Sequence, residues 1–176
     1  MILILPPPTT KSIQPIFVDV PTGSPLVRIF DPTRRNATAL TFRANGPRKR
    51  FDHHRRQGPD REFGDFVVTM PTVTRPLHLL ELRDNGALCA GTVAAIAKCE
   101  HRLSQPWSRY FYENATDFND LDGLIYRNAH NDEPAVLLYE RARPALVCPA
   151  DALTRLDHPG LRPQLIHVMR QNNLTF

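Results

Sequence analysis

The fold is decided by the stretch DGLIYR at residues 122–127, which the polar loop NAHNDE at 128–133 separates from a second apolar stretch, AVLLY at 135–139. The core of the first stretch, GLIY at 123–126, and the whole of the second are short, apolar and rich in branched or aromatic side chains, which is typical of a buried strand rather than a helix. The two stretches therefore predict a pair of buried strands. Tyr126, Arg127 and Asn128 stand where the first strand meets the loop.

Strands and helices are predicted on both sides of this pair. Further strands are predicted over residues 26–30, 38–42, 63–69 and 77–82, after an extended, proline-rich N-terminal arm over 1–24 with room for a short strand at 16–20. Helices are predicted over residues 90–102, from Ser104 or Gln105 through Trp107, Tyr110 and Phe111, over 150–156 and over 161–172. Strands before, between and after helices predict a single mixed α+β domain over residues 25–176.

Composition excludes several classes of protein. The chain has 176 residues, of which 41% are hydrophobic and 23% charged, and these values exclude wholesale disorder and a fibrous repeat. Its net charge of +4 permits phosphate binding but is too small to establish a nucleic-acid partner. Its 17 prolines against 8 glycines favour short elements joined by stiff connections.

The cysteines and the N-terminus bear on location. Cys89, Cys99 and Cys148 are widely spaced and form no Cys-x-x-Cys pair, which predicts reduced thiols rather than a disulfide framework or a zinc ribbon. The apolar run at residues 1–5 is too short for a secretory signal or a membrane helix, and prolines follow it at once. We therefore expect a soluble cytoplasmic protein that has no membrane partner.

The first candidate site is a basic segment between residues 43 and 62. Its cationic side chains are Arg43, Arg48, Lys49, Arg50, Arg55, Arg56 and Arg61. Guanidinium groups bind two anionic oxygens at once, so the segment suits a phosphate or pyrophosphate, although a solvated charged loop explains the same composition. His53 and His54 are adjacent and point in different directions, so no metal site is predicted. Without an aromatic stacking motif, the segment does not favour nucleic-acid binding.

The second candidate site is the end of the strand at residues 122–127. Tyr126, Arg127, Asn128 and His130 bring several hydrogen-bonding groups to one end of a sheet, and ligands commonly bind at such places. A strand that runs into a turn, with Asn128 capping it locally, explains the same residues. The residues alone leave these two interpretations even.

Five segments in order along the chain resemble the RES-domain family, named for Arg, Glu and Ser positions, whose toxin members consume NAD in bacterial toxin–antitoxin pairs. The segments are LVRI at 26–29, RFDHHR at 50–55, LHLLEL at 77–82, LDGLIYRN at 121–128 and PAVLLYER at 134–141. The resemblance covers about residues 26–172. It implies a mixed, split β core flanked by helices, like that of ADP-ribosyltransferases, with a cleft that holds NAD as substrate.

The resemblance also implies roles for individual residues. By position, Arg28 and Arg50 bind the pyrophosphate of NAD and count as catalytic residues. Asn128 stands where the family usually has Ser and is the third catalytic residue, a change that alters donor and acceptor geometry. Tyr126 and Arg127 flank it as NAD-binding residues.

The chain departs from the family after RFDHHR, where the usual Tyr-bearing strand and Glu-bearing helix are missing. The acidic residues left in that region are Asp60, Glu62 and Asp65. Cleavage of the nicotinamide–ribose bond passes through an oxocarbenium-like state that a carboxylate stabilises, and losing such a group costs about 10²-fold in rate. We therefore expect an open cleft beside an exposed loop at 53–64, weak NAD binding and little turnover.

Two functions follow from the resemblance. The first is a toxin-type protein, impaired or divergent, that acts on NAD by glycohydrolysis, phosphorolysis or ADP-ribose transfer. The second is a non-catalytic relative that binds an antitoxin-like protein of the helix-turn-helix type. The sequence leaves both open.

Overall fold

Short strands and helices follow one another along the described part of the chain. The computed structural model describes residues 4–7, 13–33, 37–42, 64–118, 120–129, 131–149 and 152–171. The strands in these ranges are β1 (Phe17–Val20), β2 (Arg28–Phe30), β3 (Val67–Thr69), β4 (Thr72–Val73), β5 (Leu77–Glu81), β6 (Gly123–Arg127), β7 (Pro134–Leu138), β8 (Leu146–Val147) and β9 (Thr154–Arg155). The α-helices there are α1 (Gly86–Cys89), α2 (His101–Glu113), α3 (Ala115–Phe118) and α4 (Arg162–Gln171), with 3₁₀ helices at Ala94–Ala97, Glu140–Ala145 and Pro159–Leu161. The mixed α+β class predicted from the sequence is confirmed.

The main sheet has four strands in the order β1, β5, β6, β7. β6 and β7 are the two strands predicted on either side of the polar loop, and they pair antiparallel in a register that runs from Gly123 opposite Leu138 to Arg127 opposite Pro134. β7 is only partly buried, rather than buried as predicted, because it lies at the edge of the sheet. β5 and β6 are parallel, and a parallel pair needs a long crossover connection. Helices α1, α2 and α3 lie in that crossover. The sheet is therefore mixed, with one parallel pair at its centre.

Alternate residues of the strands point to opposite faces of the main sheet, and a separate hydrophobic cluster covers each face. On one face, Leu80 and Leu124 belong to an aromatic cluster with Trp107, Phe111 and Phe118 from the helices. On the other face, the buried residues are aliphatic: Val73, Leu77, Leu79, Ile125, Ala142, Ala145 and Leu146. The two-stranded sheet of β4 and β8 contributes Val73 and Leu146 to this second cluster, while β2, β3 and β9 form a separate three-stranded sheet.

The segment predicted as an N-terminal arm contributes to the main sheet. The strand foreseen at residues 16–20 is present as β1, which pairs antiparallel with β5 from Phe17 opposite Leu80 to Val20 opposite Leu77. Phe17 packs on the aromatic cluster and stacks on His78, with ring centroids 4.6 Å apart. An edge strand of the sheet therefore comes from a part of the chain far from its neighbour in sequence.

Three of the predicted elements are wrong. Residues 38–42 form a turn rather than a strand, with the Thr41 N–H donating to the Thr38 carbonyl. The helix predicted over residues 90–102 is interrupted because Gly91 adopts a φ of 84° just after α1, the left-handed conformation that ends helices. Residues 154–155 are a strand where a helix was predicted over 150–156. α2 begins at His101, ahead of the predicted start at Ser104 or Gln105.

The predicted C-terminal helix is confirmed as α4, within the described residues. Among those residues, no helix combines the length and the apolar character that crossing a bilayer requires.

Candidate functional site

Parallel pairing brings the ends of β5 and β6 to one edge of the main sheet. Glu81 ends β5, and Arg83 and Asp84 follow it two and three residues later. Arg127 ends β6, and Asn128 comes directly after it. Lys98 and Asp132 reach the same place, where the Lys98 ammonium lies 2.6 Å from an oxygen of Asp132. We call these seven residues the carboxyl edge. Two of the predicted site residues, Arg127 and Asn128, lie at this edge beside the charged side chains of the other five.

Glu81 is the most enclosed carboxylate of the carboxyl edge, with a side chain that is only 13% exposed. It accepts hydrogen bonds from the backbone N–H of Arg83 at 2.8 Å and from the Arg83 Nε at 2.7 Å. Burial by itself raises the pKa of this carboxyl. The hydrogen bonds from Arg83 and the charges of Arg83 and Arg127 outweigh burial and hold the pKa of Glu81 below its ordinary value. Glu81 is therefore ionised at neutral pH.

The remaining charges of the carboxyl edge form looser pairs. Arg127 donates to the carbonyl of Asp132 at 3.1 Å, and its other terminal nitrogen lies 3.8 Å from an oxygen of Asp84, whose side chain is 80% exposed. The Lys98 hydrogen bond holds the pKa of Asp132 below its ordinary value. Exposed pairs such as these contribute little to stability, because water screens their charges. Arg127 and Lys98 can therefore exchange their carboxylates for the anionic oxygens of a ligand.

Asn128 holds the loop between β6 and β7. Its side-chain oxygen accepts from the Asn131 N–H at 3.2 Å, its amide nitrogen donates to the side chain of Asn131, and its own N–H donates to the Glu133 carbonyl at 3.0 Å. Asp132, in the same loop, adopts a φ of 61°. These contacts correspond to the local capping role that the sequence left open beside the ligand role.

Tyr126 and Arg127 lie on opposite faces of the sheet. Tyr126 packs against the aromatic cluster, on the same side as Leu124. Arg127 alternates with it and follows Ile125, which belongs to the aliphatic cluster. The structure therefore does not bring together the two residues that the resemblance placed on either side of Asn128.

Arg28 lies on β2, in the three-stranded sheet rather than in the main sheet. Its two terminal nitrogens donate to the carbonyls of Ala39 at 2.9 Å and Thr41 at 3.0 Å, and its guanidinium lies 5.3 Å from the ring centroid of Phe30. These contacts fasten the 38–41 turn to β2.

The first candidate site, residues 43–62, lies entirely outside the described residues. Arg50, Glu62 and the loop predicted over 53–64, apart from Gly64, fall outside the described residues, as do His53 and His54. Asp65 is described and exposed. Within the described ranges, no group of three His, Cys, Asp or Glu side chains is arranged to hold a metal ion.

Sequence reasoning missed Glu81, Arg83 and Lys98. A signal for the first two was present, because oppositely charged residues two apart at the end of a strand share one face of it. Their place beside Arg127 depends on the parallel pairing of β5 with β6, which no local pattern shows.

The opposite end of the same strand pair carries a different arrangement. Asp122 accepts from the two terminal nitrogens of Arg75, both at 2.6 Å, and from the His78 N–H at 2.9 Å. Burial raises the pKa of Asp122, but the hydrogen bonds from Arg75 and the His78 N–H, with the charge of Arg75, outweigh it and lower that pKa. Every oxygen of this buried carboxylate has a partner from the chain, so we interpret the pair as a structural brace.

No protein-family model, no curated protein and no solved structure matches the chain. What the structure itself defines is a mixed α+β protein whose central parallel strand pair ends in a polar, partly exposed edge. The resemblance to the RES-domain family rests on the five sequence segments.

Proposed function

We propose that the protein is a RES-like, toxin-type protein that acts on NAD at the carboxyl edge. Three of the five resembling segments, at 77–82, 121–128 and 134–141, supply β5, β6 and β7, which are adjacent strands of one mixed sheet. A sheet edge where polar side chains converge is a common place for a ligand. The likeness of the core to ADP-ribosyltransferases and a cytoplasmic location belong to the same proposal.

The observation that carries this proposal is the enclosed, ionised carboxylate of Glu81 at the carboxyl edge. Glycohydrolysis, phosphorolysis and ADP-ribose transfer all begin by cleaving the nicotinamide–ribose bond, and a fixed negative charge near the ribose stabilises the oxocarbenium-like state that forms. Glu81 is enclosed, ionised and held in one orientation by Arg83. It supplies the kind of carboxylate for which the sequence near RFDHHR offered only Glu62, Asp60 and Asp65.

The cations of the carboxyl edge suit the pyrophosphate of NAD. Arg127 and Lys98 are both partly exposed, and their partners Asp84 and Asp132 are carboxylates that phosphate oxygens can replace. In this proposal Arg50 adds a further guanidinium from the basic segment. Arg28 can bind the pyrophosphate only if its hydrogen bonds to the carbonyls of Ala39 and Thr41 break.

Release of nicotinamide from NAD by the purified full-length chain tests the proposal. Glu81→Gln keeps the shape of the side chain and removes its charge, so we expect it to lower the rate by about 10²-fold. Glu113→Gln is the matched control, because Glu113 is an exposed carboxylate on α2 and should leave the rate unchanged. Equal, background-level release by the wild-type and Glu81→Gln chains would show that the protein does not cleave NAD.

The non-catalytic alternative is favoured by the contacts of Arg28 and Asn128. Both side chains hold neighbouring loops in place, which is what a protein that has lost turnover would retain. In this case a helix-turn-helix protein co-expressed with the chain forms a stable complex with it. Growth is then unaffected when that partner is omitted, whereas an active NAD-consuming toxin inhibits growth.

A further inference from the structure

The N-terminal residues of the described chain are fastened to α2 by its single tryptophan. The indole N–H of Trp107 donates to the backbone carbonyl of Leu5 at 2.8 Å, and Ile4 packs on the aromatic cluster that contains Trp107. Trp107 is only 3% exposed, whereas Leu5 is largely exposed. Among the described residues 4–7, this hydrogen bond and the packing of Ile4 hold a segment that lies far from α2 in sequence.

This segment has the chemistry of a proline-rich ligand. Leu5 is followed by Pro6, Pro7 and Pro8. Proline fixes its own φ and pushes the preceding residue into an extended conformation, so this sequence favours an extended, polyproline-type conformation. Such strands make no internal hydrogen bonds, and their carbonyls accept from donors outside. Aromatic-lined grooves recognise proline-rich peptides in this way.

The surface of α2 continues beyond the tryptophan. Tyr110 packs edge-on against Trp107, with ring centroids 5.7 Å apart. It also lines an open groove of about 560 Å³ together with Arg102, Gln105, Pro106, Arg109 and Glu113. Tyr110 therefore joins the tryptophan to a larger surface that carries both apolar and charged side chains.

We propose that Trp107, Tyr110 and this groove, which we call the Trp107 seat, form a binding site for a short proline-rich segment of a partner protein. Ile4 and Leu5, which directly precede prolines in the sequence, contact this site from within the same chain. A tethered segment competes at an effective concentration in the millimolar range, so a partner binds only when its own segment outcompetes it. The N-terminal segment thereby sets a threshold for the interaction.

Binding of a fluorescein-labelled peptide of residues 1–10, measured by anisotropy on full-length chains, tests this proposal. Ile4→Ser removes the apolar anchor of the tethered segment and leaves the Trp107 seat intact, so the peptide should bind this variant about tenfold or more tightly than the wild-type chain. Adding Trp107→Phe keeps an aromatic ring and removes the N–H donor, and it should weaken peptide binding about fivefold or more. A peptide with glycine in place of the three prolines should bind more weakly.

The single tryptophan gives a second readout that does not depend on the double variant folding. In the Ile4→Ser chain, the emission of Trp107 should shift to longer wavelength, and the unlabelled peptide should reverse that shift. Equal peptide affinity for the wild-type and Ile4→Ser chains, or no change in emission, would contradict the proposal. A concentration-dependent dimer of the Ile4→Ser chain that the peptide does not dissociate would identify a second copy as the occupant and would also overturn it.

Discussion

The two ends of the central parallel strand pair, β5 and β6, carry similar residue types in different surroundings. At the amino end, the side chain of Asp122 is 4% exposed and accepts two short hydrogen bonds from Arg75 and one from a backbone N–H. At the carboxyl end, Glu81 forms a short, enclosed pair with Arg83, and the other pairs, of Arg127 with Asp84 and of Lys98 with Asp132, are long or exposed. Buried, fully bonded charge holds structure, whereas partly exposed charge remains able to change partners.

The largest effect is expected at the amino end. Arg75→Met keeps the aliphatic stem of the side chain but leaves the buried Asp122 carboxylate without its main partner, which should lower the free energy of unfolding by about 2 kcal/mol, since solvent reaches the half-exposed Arg75 side. Urea denaturation measures this. Arg109→Met, which breaks an exposed pair with Glu113 on α2, is the matched control and should change stability by less than about 0.5 kcal/mol. If the two variants lowered stability equally, the Arg75–Asp122 pair would contribute no more than the exposed Arg109–Glu113 pair, which would contradict its role as a structural brace.

Acid should weaken the same brace. The pKa of Asp122 is lowered in the folded chain, so its contribution to stability is complete above the unfolded-state pKa of about 4 and is lost as pH falls through the folded-state pKa. The difference in unfolding free energy between the wild-type and Asp122→Asn chains should therefore be constant from about pH 7 to 5 and shrink below about pH 4. A difference that grew on acidification would contradict the assigned direction.

A smaller effect is expected for the loop at the carboxyl end. Asn128→Ala removes the side-chain contacts with Asn131 and should cost about 1 kcal/mol in thermal or urea denaturation. Asn128→Asp keeps the oxygen that accepts from the Asn131 N–H and should recover part of that loss. If both variants are as stable as the wild type, Asn128 does not hold the loop, and its role as a ligand-binding residue gains weight.

The smallest effect on stability is expected for Arg127. Its nearest carboxylate is 3.8 Å away and exposed, so Arg127→Met should change the unfolding free energy by less than about 0.5 kcal/mol. The same variant should weaken NAD binding about tenfold, because it removes a charge-assisted contact with the pyrophosphate. Isothermal titration measures the affinity. A loss of stability without a loss of affinity would place Arg127 with the structural residues.

The sequence predicted best what is decided locally. The strands β6 and β7 are apolar stretches on either side of a polar loop, so their pairing follows from neighbouring residues. The 38–42 prediction was wrong because Arg28, eleven or more residues earlier, takes up two carbonyls of that turn. The 90–102 helix was wrong because one glycine conformation outweighs apolar spacing.

The candidate site was predictable only in part, for the same reason. Arg127 and Asn128 follow a recognisable strand, and strand ends are where ligand groups are sought. Glu81 joins them through the parallel pairing of β5 and β6, across a crossover that contains three helices. Such pairing depends on how the helices pack on the sheet, which spacing along the sequence does not encode.

Addition of NAD to ¹⁵N-labelled full-length protein, followed by amide NMR spectra, tests most directly whether the carboxyl edge is the ligand-binding end of the strand pair. We expect saturable shifts of the amides of Glu81, Arg83 and Arg127, with those of His78 and Asp122 at the amino end unchanged. The Arg127→Met chain should need about tenfold more NAD for the same shifts. Shifts confined to the amino end, or no saturable shifts at all, would contradict the assignment of the carboxyl edge.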